Sequence, residues 1–297
     1  MRTSPRRKVP SSPAKTPSRA PKRARVRKSE DSVVSSHGTV KVSLSPAAEL
    51  RLHELELYST GSKCVVGCDE AGRGPLAGPV VAAACFVPPE VDVDAAGLSD
   101  VHDSKTVTKK ARERMYDLLT TDKRIKWSVS IVSAQEIDEV NILQASMLAM
   151  HRATVRLSQG KQGVAPDYVL IDGPRAPWGH SKAIRPNGTL RKADPPMPKS
   201  IVHCEPIIKG DGKIFCIAAA SIIAKVTRDR IMADLDQKYP GYQLSQHQGY
   251  PVRAHVAAIH SMGGVSPIHR MTFRPIKGSS WKVLKQFTTK TKKNRRK

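Results

Sequence analysis

The sequence predicts an α/β fold in which helices pack on a mixed central sheet. Two observations indicate this fold: short apolar runs typical of strands alternate with longer segments of helical spacing, and several of those segments begin at helix-capping residues. This alternation is typical of one domain with helices layered on a sheet. No run reaches the roughly 20 consecutive apolar residues that cross a bilayer, so no membrane partner is expected.

The first half of the folded chain is predicted to contain two helices and three strands. Ser45 and Pro46 are typical of a helix N-cap and first turn, and this helix is expected to end near Tyr58. The elements that follow are strands over 63–68 and 79–87 joined by a glycine-rich turn, a helix over 108–119, and an alternating strand over 125–132.

The second half is predicted to contain three helices and two strands. Ser133 and Glu136 form a capping box, so one long helix is expected from there to about Leu157. The last helix is expected to end at Gly263 and Gly264. The remaining elements are strands over 168–171 and near 201–208 and helices over 216–239 and 251–262.

Positive charge is concentrated at the two ends of the chain. The formal net charge is +24; residues 1–29 contain eleven Lys or Arg and residues 237–297 contain thirteen, with no acid in either segment. Such ends favour a polyanionic partner, above all nucleic acid, because neutralising phosphates releases counterions. Basic tails that only aid solubility or targeting are equally compatible with this distribution.

Composition divides the chain into three parts. Residues 1–44 are rich in Ser, Pro and basic residues and poor in large apolar ones, so a disordered extension is predicted because burial cannot repay the entropy of ordering. Residues 45–277 are expected to form one folded domain, and residues 278–297 a basic C-terminal tail.

The cellular address is predicted from the cysteines and the basic ends. The five cysteines are odd in number and favour free thiols in a reducing, intracellular compartment. PKRARVRK over 21–28 and KTKKNRRK over 290–297 are similar to nuclear import signals. An Arg- and Ser-rich N-terminus without acids is also typical of mitochondrial presequences, but its prolines would break a presequence helix. The nucleus is therefore predicted, with the mitochondrion as the alternative.

Acidic residues stand where predicted strands end. Asp69 and Glu70 close the first strand, Asp172 closes the VLID strand, and Asp211 lies in KGDG just before a helix. Sheets commonly carry their sites at such ends, although a single acid there is more often a cap or a turn former. Four clustered carboxylates are unfavourable unless countered, and Mg²⁺ or Mn²⁺ would counter them because hard cations prefer oxygen ligands.

Seven motifs of the chain resemble those of the ribonuclease HII family. The segment DEAGRGPLAGPVVAAA over 69–84 is similar to the family's opening signature. The others, in the family's order, are HDSK at 102–105, IDG at 171–173, IIKGD at 207–211, IAAASIIAKVTRD at 217–229, HQGYP at 247–251 and IHRMTF at 268–273. Together they span roughly residues 49–275, although each fragment alone would be only a hypothesis.

The resemblance implies a ribonuclease H-like fold and a nuclease. The family's metal-binding acids match Asp69, Glu70, Asp172 and Asp211, which would hold two Mg²⁺ or Mn²⁺ ions. The implied enzyme hydrolyses the RNA strand of RNA–DNA hybrids and incises duplex DNA on the 5′ side of embedded ribonucleotides, leaving 5′-phosphate and 3′-hydroxyl ends. Hydrolysis of this kind needs no nucleophilic side chain, and the sequence contains no GxSxG motif.

The same resemblance implies five residues that contact the substrate. Gly72, Arg73 and Gly74 would touch the ribose, with Arg73 adding a phosphate contact; the alternative is a tight turn that needs positive φ. Lys105 in HDSK would bind a substrate phosphate, although a solvated lysine is the ordinary case. Tyr250 in HQGYP would pack on the sugar after the ribonucleotide, although most tyrosines are core residues.

Other polar residues are assigned structural roles. Asp229 is expected to form an ion pair on the surface of its helix. His247 and His255 are eight residues apart across a proline, and Cys64 and Cys68 lack a second cysteine pair, so neither couple is expected to bind a metal.

The chain departs from the family pattern at three places; at one of them Cys216 replaces a more polar residue before the AAAS helix, with no expected consequence. A basic, proline-rich insertion over 174–200 is longer than the usual connection and is expected on the substrate side. Val252 follows GYP where the family more often has Thr, which affects one phosphate contact.

A non-catalytic, basic nucleic-acid-binding protein is the rival hypothesis. The charged ends would suffice for such a protein, but a carboxylate cluster facing phosphate repels it unless a metal is bound. The C-terminal half around HQGYP resembles the bacterial single-chain enzymes, so activity as a monomer without accessory subunits is expected.

Overall fold

The computed structural model describes residues 44–101, 107–160, 163–177 and 196–284, and the structural statements below concern those residues. Most of the predicted extension over 1–44, the centre of the insertion over 174–200 and most of the tail over 278–297 lie outside them.

A five-stranded mixed sheet with helices on both faces forms the centre of the fold, as the sequence predicts. The strand order is β3-β2-β1-β4-β5; β1, β2 and β3 form an antiparallel meander, whereas β4 runs parallel to β1 and β5 runs parallel to β4. The strands are β1 (Val65–Ala71), β2 (Val80–Phe86), β3 (Lys126–Val132), β4 (Tyr168–Asp172) and β5 (His203–Ile207).

The helices occupy most of the predicted positions. They are α1 (Pro46–Ser59), α2 (Lys109–Thr121), α3 (Ala134–Val140), α4 (Ile142–Gln159), α5 (Phe215–Lys238), α6 (Leu244–His247) and α7 (Arg253–Met262). Two short parallel strands, β6 (Gly264–Val265) and β7 (Lys282–Val283), show that regular structure continues past residue 277. Within the described ranges, no helix is long and apolar enough to cross a membrane.

Both faces of the sheet are buried because alternate side chains of its strands enter two different cores. In β2, Ala82 packs in the core with α4, whereas the next residue, Ala83, packs in the core with α5. This is the two-residue period of a strand that is covered on both sides. On β1, a Cβ at Gly67 would lie 2.3 Å from the main-chain carbonyl carbon of Cys216, so α5 lies directly on the strand.

The prediction of a single long helix from Ser133 to Leu157 is wrong, because the chain forms two helices there. The capping box is present: Ser133 Oγ accepts from the Glu136 N–H, and the Glu136 carboxylate accepts from the Ser133 N–H. Asn141 then adopts φ = 69°, which ends α3, and its side chain accepts from the Gln144 N–H at 3.2 Å to cap α4. Asparagine adopts a positive φ more readily than most residues with a side chain and also caps helices, and apolar periodicity does not reveal that combination.

A buried ion pair fixes α1 to the beginning of α5. Arg51 Nη1 lies 2.8 Å from Glu54 Oε2, and the two side chains are buried. Glu54 Oε1 accepts from the Cys216 N–H at 2.6 Å, in the first turn of α5. Burial raises the pKa of Glu54, and the adjacent Arg51 charge opposes that rise. A carboxylate at this position satisfies an N–H group that the helix itself leaves unpaired.

Three histidines form a hydrogen-bonded stack beside α6 and α7. The rings of His247 and His255 stack with centroids 4.4 Å apart, and the Nε2 atoms of His255 and His269 are 3.2 Å apart. His255 Nδ1 lies 3.0 Å from the Tyr250 carbonyl oxygen, and His269 Nδ1 lies 3.0 Å from the Ser266 N–H. These contacts are satisfied by neutral rings, with His255 donating from Nδ1 and His269 from Nε2. Burial, and then the neighbouring imidazole, lowers the pKa of His255 to about 4 and that of His269 to about 3.

We expect these histidines to make the fold sensitive to acid. A histidine in the unfolded chain has a pKa of about 6.5. Below that pH the unfolded chain therefore binds protons that the folded chain does not bind. The free energy of unfolding should therefore fall as the pH drops from 6.5 towards 4, by up to about 1.4 kcal/mol per pH unit for each proton. Thermal melts between pH 8 and pH 4 measure this change.

Two variants separate these histidines from other sources of acid sensitivity. His269→Gln should flatten the dependence of the melting temperature on pH, because one titrating group is removed. His260→Gln, at an exposed position of α7, should leave it unchanged. A wild-type melting temperature that stays constant from pH 7 to pH 5 would contradict the assignment.

Candidate active site

The four predicted acids lie at the carboxyl-terminal end of the parallel strands. β1 and β4 are adjacent and in register, with Cys68 beside Ile171, so Asp69 and Asp172 occupy the next step of the two strands. Glu70 follows Asp69 in β1, and Asp211 lies in a 3₁₀ turn (Gly210–Gly212) that follows β5. Parallel strands bring residues that are far apart in sequence to one edge of the sheet.

Asp69 is the most buried of the carboxylates that face the cleft. Burial raises its pKa well above the usual value, and the neighbouring charges of Glu70 and Asp172 raise it further. Hydrogen bonds from the Ser221 hydroxyl and from the Glu70 N–H oppose this rise, and the second of these measures 2.6 Å. The three carboxylates are therefore close enough to repel one another when they are charged.

The other acids are held by local contacts. Glu70 Oε1 lies 3.1 Å from Arg73 Nη1, and the Glu70 side chain is 6% exposed whereas that of Arg73 is 48% exposed. Asp172 Oδ1 accepts from the Gly210 N–H at 2.7 Å and lies 3.4 Å from the Asp211 nitrogen. The 3₁₀ turn is thus tied to the end of β4, which places Asp211 beside Asp172.

An open cleft of about 360 Å³ lies in front of three of these acids. Its lining is made of Asp69, Glu70, Ala71, Gly72, Arg73, Gly74, Asp172, Ser221, Lys225, Arg228 and Tyr250. Asp211 is buried and does not line the cleft. Within the ranges that the structure describes, no three His, Cys, Asp or Glu side chains lie in an arrangement that could coordinate a metal ion as they stand. The structure therefore brings the predicted acids together without arranging them as ligands.

The glycine-rich turn lies against Tyr250 in the lining of the cleft. Gly72 has φ = +99°, a conformation that favours glycine, and is buried, whereas Arg73 and Gly74 are exposed. A Cβ on Gly74 would lie 3.4 Å from Tyr250 Cε1, and Tyr250 is 42% exposed, so it is not a core residue. Lys105, the remaining predicted substrate contact, lies outside the described residues.

Helix α5 contributes three cleft residues that were not identified from the sequence. Ser221, Lys225 and Arg228 are spaced by four and three residues, so they lie on one face of the helix along the cleft, where Arg228 is buried. That spacing of polar residues within an otherwise apolar helix is the signal that could have revealed them. Asp229 forms an ion pair on this helix, as predicted, with its Oδ1 2.7 Å from Lys225 Nζ.

The histidines and cysteines that were assigned structural roles are packed within the protein. His247 and His255 contact each other and main-chain groups within the histidine stack. Cys64 and Cys68 are free and buried. Burial raises the pKa of each of these two thiols to about 12, so neither is a thiolate near neutral pH.

Comparison with known proteins identifies the family. The model of the family described as Ribonuclease HII matches residues 66–276. The chain belongs to the ribonuclease HII family. A ribonuclease HII from the bacterium Nitrosococcus oceani is 43% identical over 213 residues, which are 72% of this chain and 90% of the relative. The enzyme is accordingly an endoribonuclease that acts on RNA–DNA hybrids, and the non-catalytic rival hypothesis is wrong.

Solved structures of ribonucleases H share the fold of this ribonuclease HII. The ribonuclease H2 of Pyrococcus horikoshii OT3 superposes with a TM-score of 0.51 at 29% identity, over 72% of this chain and 95% of that chain. Bst-RNase HIII in complex with Mn²⁺ superposes with a TM-score of 0.53 at 20% identity, over 77% of this chain and 73% of that chain. The predicted ribonuclease H-like fold is confirmed.

The predicted nuclear address is wrong, and so is the mitochondrial alternative. The ribonuclease HII relatives include enzymes of Nitrosococcus oceani and other bacteria, whose cells contain neither compartment. Clusters of Lys and Arg resemble import signals because the same residues also bind nucleic acid, and composition does not separate the two uses.

We expect Gly72→Ala to destabilise the enzyme more than an alanine at another position of positive φ would. The new methyl group would lie 2.1 Å from Arg228 Nε and 2.8 Å from the Pro79 carbonyl oxygen. Gly61→Ala is the matched control, because Gly61 has φ = +113° with nothing within 4 Å of the added Cβ. Gly72→Ala should cost about 1–3 kcal/mol more in unfolding free energy than the control.

Thermal melts and cleavage of a labelled RNA–DNA hybrid measure the two variants. Gly61→Ala should cleave at the wild-type rate, whereas Gly72→Ala should lose at least about tenfold because the turn in the cleft is displaced. Equal stability and equal rates in the two variants would show that the turn has room for a side chain.

Proposed function

We propose that Asp69, Glu70, Asp172 and Asp211 are the catalytic acids, and that they bind two divalent cations, Mg²⁺ or Mn²⁺. The observation that carries this proposal is the position of Asp69: a buried carboxylate beside two others, at the carboxyl ends of adjacent parallel strands. We further propose that the enzyme incises duplex DNA on the 5′ side of a single ribonucleotide, leaving 5′-phosphate and 3′-hydroxyl ends, and that it acts as a monomer without accessory subunits.

The chemistry of the cleft suits hard cations. Its charged ligands are carboxylate oxygens, which Mg²⁺ and Mn²⁺ prefer, and thiols or imidazoles are absent from its lining. A bound cation would offset the repulsion that raises the pKa of Asp69. The similar fold of Bst-RNase HIII was solved with Mn²⁺, which is a property of that protein. When bound, two divalent cations supply an activated water and stabilise charge on the leaving oxygen.

Each acid is held in a way that suits its proposed role. Asp69 lies between Glu70 and Asp172 and would contact both cations, and the Ser221 hydroxyl orients it. Glu70 and Asp172 would hold one cation, and the N–H of Gly210 orients Asp172. Asp211, beside Asp172 and away from the cleft lining, would hold the second cation or orient water.

The glycine-rich turn and Tyr250, which also line the cleft, are proposed to recognise the substrate. Main-chain groups of Gly72, Arg73 and Gly74 would contact the ribose 2′-hydroxyl, which distinguishes RNA from DNA. The exposed ring of Tyr250, in contact distance of Gly74, would pack on the following sugar. Arg73, which is largely exposed, would bind a phosphate once Glu70 binds a cation. Lys105 is proposed as a further phosphate contact.

The first test of this function replaces the central acid. Asp69→Asn removes a charge from both proposed cation sites and should lower kcat on an RNA–DNA hybrid by at least about 10³, or roughly 4 kcal/mol of barrier. Affinity for the hybrid should persist, because the glycine-rich turn and Tyr250 are unchanged. Steady-state cleavage and fluorescence anisotropy measure the two quantities.

A matched control lies at the other end of β4. Asp167 accepts from the N–H groups of Lys63 and Cys64, far from the cleft, so Asp167→Asn tests the loss of a structural carboxylate. It should reduce stability and leave kcat within about twofold of wild type. If Asp69→Asn keeps more than a tenth of the wild-type kcat, the assignment of the acids is wrong.

The second test asks what the enzyme recognises. Three duplexes that carry zero, one or four ribonucleotides are incubated with the enzyme in Mg²⁺ and in Mn²⁺, and the products are separated on a sequencing gel. The duplexes with one and with four ribonucleotides should be cut. The all-DNA duplex should not be cut, because each polar group that loses its hydroxyl partner costs about 1–3 kcal/mol.

Variants of Tyr250 complete this test. Tyr250→Ala should reduce cutting at a single ribonucleotide by more than tenfold, whereas Tyr250→Phe, which retains the ring, should keep most of it. Cleavage of the duplex with four ribonucleotides but never of that with one, in either metal, would refute recognition of a single ribonucleotide while leaving the hybrid nuclease intact.

A further inference from the structure

Two buried arginines lie behind the glycine-rich turn of the cleft. Arg228 in α5 is 1% exposed, and Arg270, in the segment after β6, is 0% exposed. Each guanidinium donates three hydrogen bonds to main-chain carbonyl oxygens. The acceptors are Ala77, Pro79 and Gln248 for Arg228, and Gly72, Arg73 and Gly78 for Arg270.

Arg270 holds two successive peptide planes of the turn. Its Nη2 lies 2.6 Å from the Gly72 carbonyl oxygen, and its Nη1 lies 2.9 Å from that of Arg73. In a trans peptide the N–H points away from the preceding carbonyl. The N–H groups of Arg73 and Gly74 therefore point away from Arg270, and both residues line the cleft.

Arg228 connects residues 77–79, at the end of the loop that contains the turn, to the segment that carries Tyr250. Its Nε lies 3.0 Å from the Pro79 carbonyl oxygen and its Nη2 lies 3.1 Å from that of Gln248. The same two segments meet again where the Leu76 N–H donates to the Gly249 carbonyl oxygen at 2.7 Å. The loop that contains the turn and the Tyr250 segment are thus held together.

The chemistry of the guanidinium explains why arginine occupies these positions. Its planar fork directs several donors at fixed angles, so one side chain can orient two carbonyls at once, which the single ammonium of lysine cannot do. Burying such a charge is costly unless its donors are satisfied, and here carbonyl oxygens satisfy them. Burial lowers the pKa of Arg270 to about 9, which still leaves the group charged at neutral pH.

We propose that Arg270 and Arg228 are positioning residues for recognition of the 2′-hydroxyl. Neither side chain is accessible enough to bind the nucleic acid through its charge, so each acts through the main chain of the turn and of the Tyr250 segment. This inference rests on the proposed contact between the turn and the ribose. It adds that the preference for ribose depends on two buried side chains that never touch the substrate.

The test compares Arg270→Lys with a matched control elsewhere in the fold. Arg51 is also buried, and its two terminal nitrogens donate to the Val87 and Pro88 carbonyl oxygens at 3.0 and 2.8 Å, far from the turn in sequence. Arg51→Lys therefore removes the same kind of fork without altering the turn. Circular dichroism and melting temperature establish that each variant of the full chain is folded.

The decisive readout is a ratio that a general loss of stability does not move. With Mg²⁺ present, KM and kcat are measured on a duplex that carries one ribonucleotide, and the same duplex made entirely of DNA is used as a competitive inhibitor to obtain Ki. The ratio of Ki to KM reports the preference for the 2′-hydroxyl. The Mn²⁺ concentration that gives half-maximal rate reports the cation sites.

We expect Arg270→Lys to lower the Ki/KM ratio at least tenfold and to leave the Mn²⁺ concentration for half-maximal rate within about twofold of wild type. Arg51→Lys should keep the wild-type ratio even if its melting temperature falls. If Arg270→Lys fails to fold, Arg228→Lys is measured in the same way and should lower the ratio in the same direction.

Two outcomes contradict the inference, and they are distinguishable. A folded Arg270→Lys or Arg228→Lys variant with a ratio within threefold of wild type would show that these arginines only stabilise the fold. A wild-type ratio near one would show that binding does not depend on the 2′-hydroxyl, which would remove the proposed function of the turn and the inference with it.

Discussion

Helix α5 can lie on strand β1 only because residue 67 is a glycine, and most of the site depends on that contact. A Cβ at this position would lie 2.3 Å from the main chain of Cys216, so any side chain would push the helix outward. At the observed distance, Ser221 reaches Asp69, and the next turns of the helix carry Lys225 and Arg228 along the cleft. Glu54 of α1 also fixes the first turn of α5, because its carboxylate accepts a hydrogen bond from the Cys216 N–H.

The site is costly in isolation, and the surrounding fold compensates for that cost. A buried carboxylate beside two others opposes folding, because desolvation and repulsion both disfavour its charge. Apolar cores on both faces of the sheet supply the opposing stability. Burying the charges of the two arginines is also costly. That cost is offset because main-chain carbonyl oxygens accept hydrogen bonds from both guanidinium groups. Buried charge is thus concentrated at one edge of the sheet, where a cleft gives access to substrate.

Predictions from the sequence were accurate where a pattern is local. Apolar period and capping residues located the five sheet strands and most helices, and the capping box of Ser133 and Glu136 is present as expected. The prediction failed at Asn141, where one residue both ends a helix and caps the next. It also omitted α6 and the pair β6 and β7, which are too short to show a period. The basic ends suggested an address that the bacterial relatives contradict.

The sequence by itself determined the strands, the family motifs and the positions of the four candidate acids. Strand period, residue type and order along the chain can all be read without knowing which residues are close in space. Only the tertiary structure decided which acids share a cleft, that Asp211 does not line it, and that Arg270 and Arg228 hold the turn and the loop after it. Arg270 lies almost two hundred residues after the carbonyls it orients, a pairing that is visible only once the sheet has brought the segments together. The direction of a buried side chain depends on neighbours from every part of the chain, and no local pattern records it.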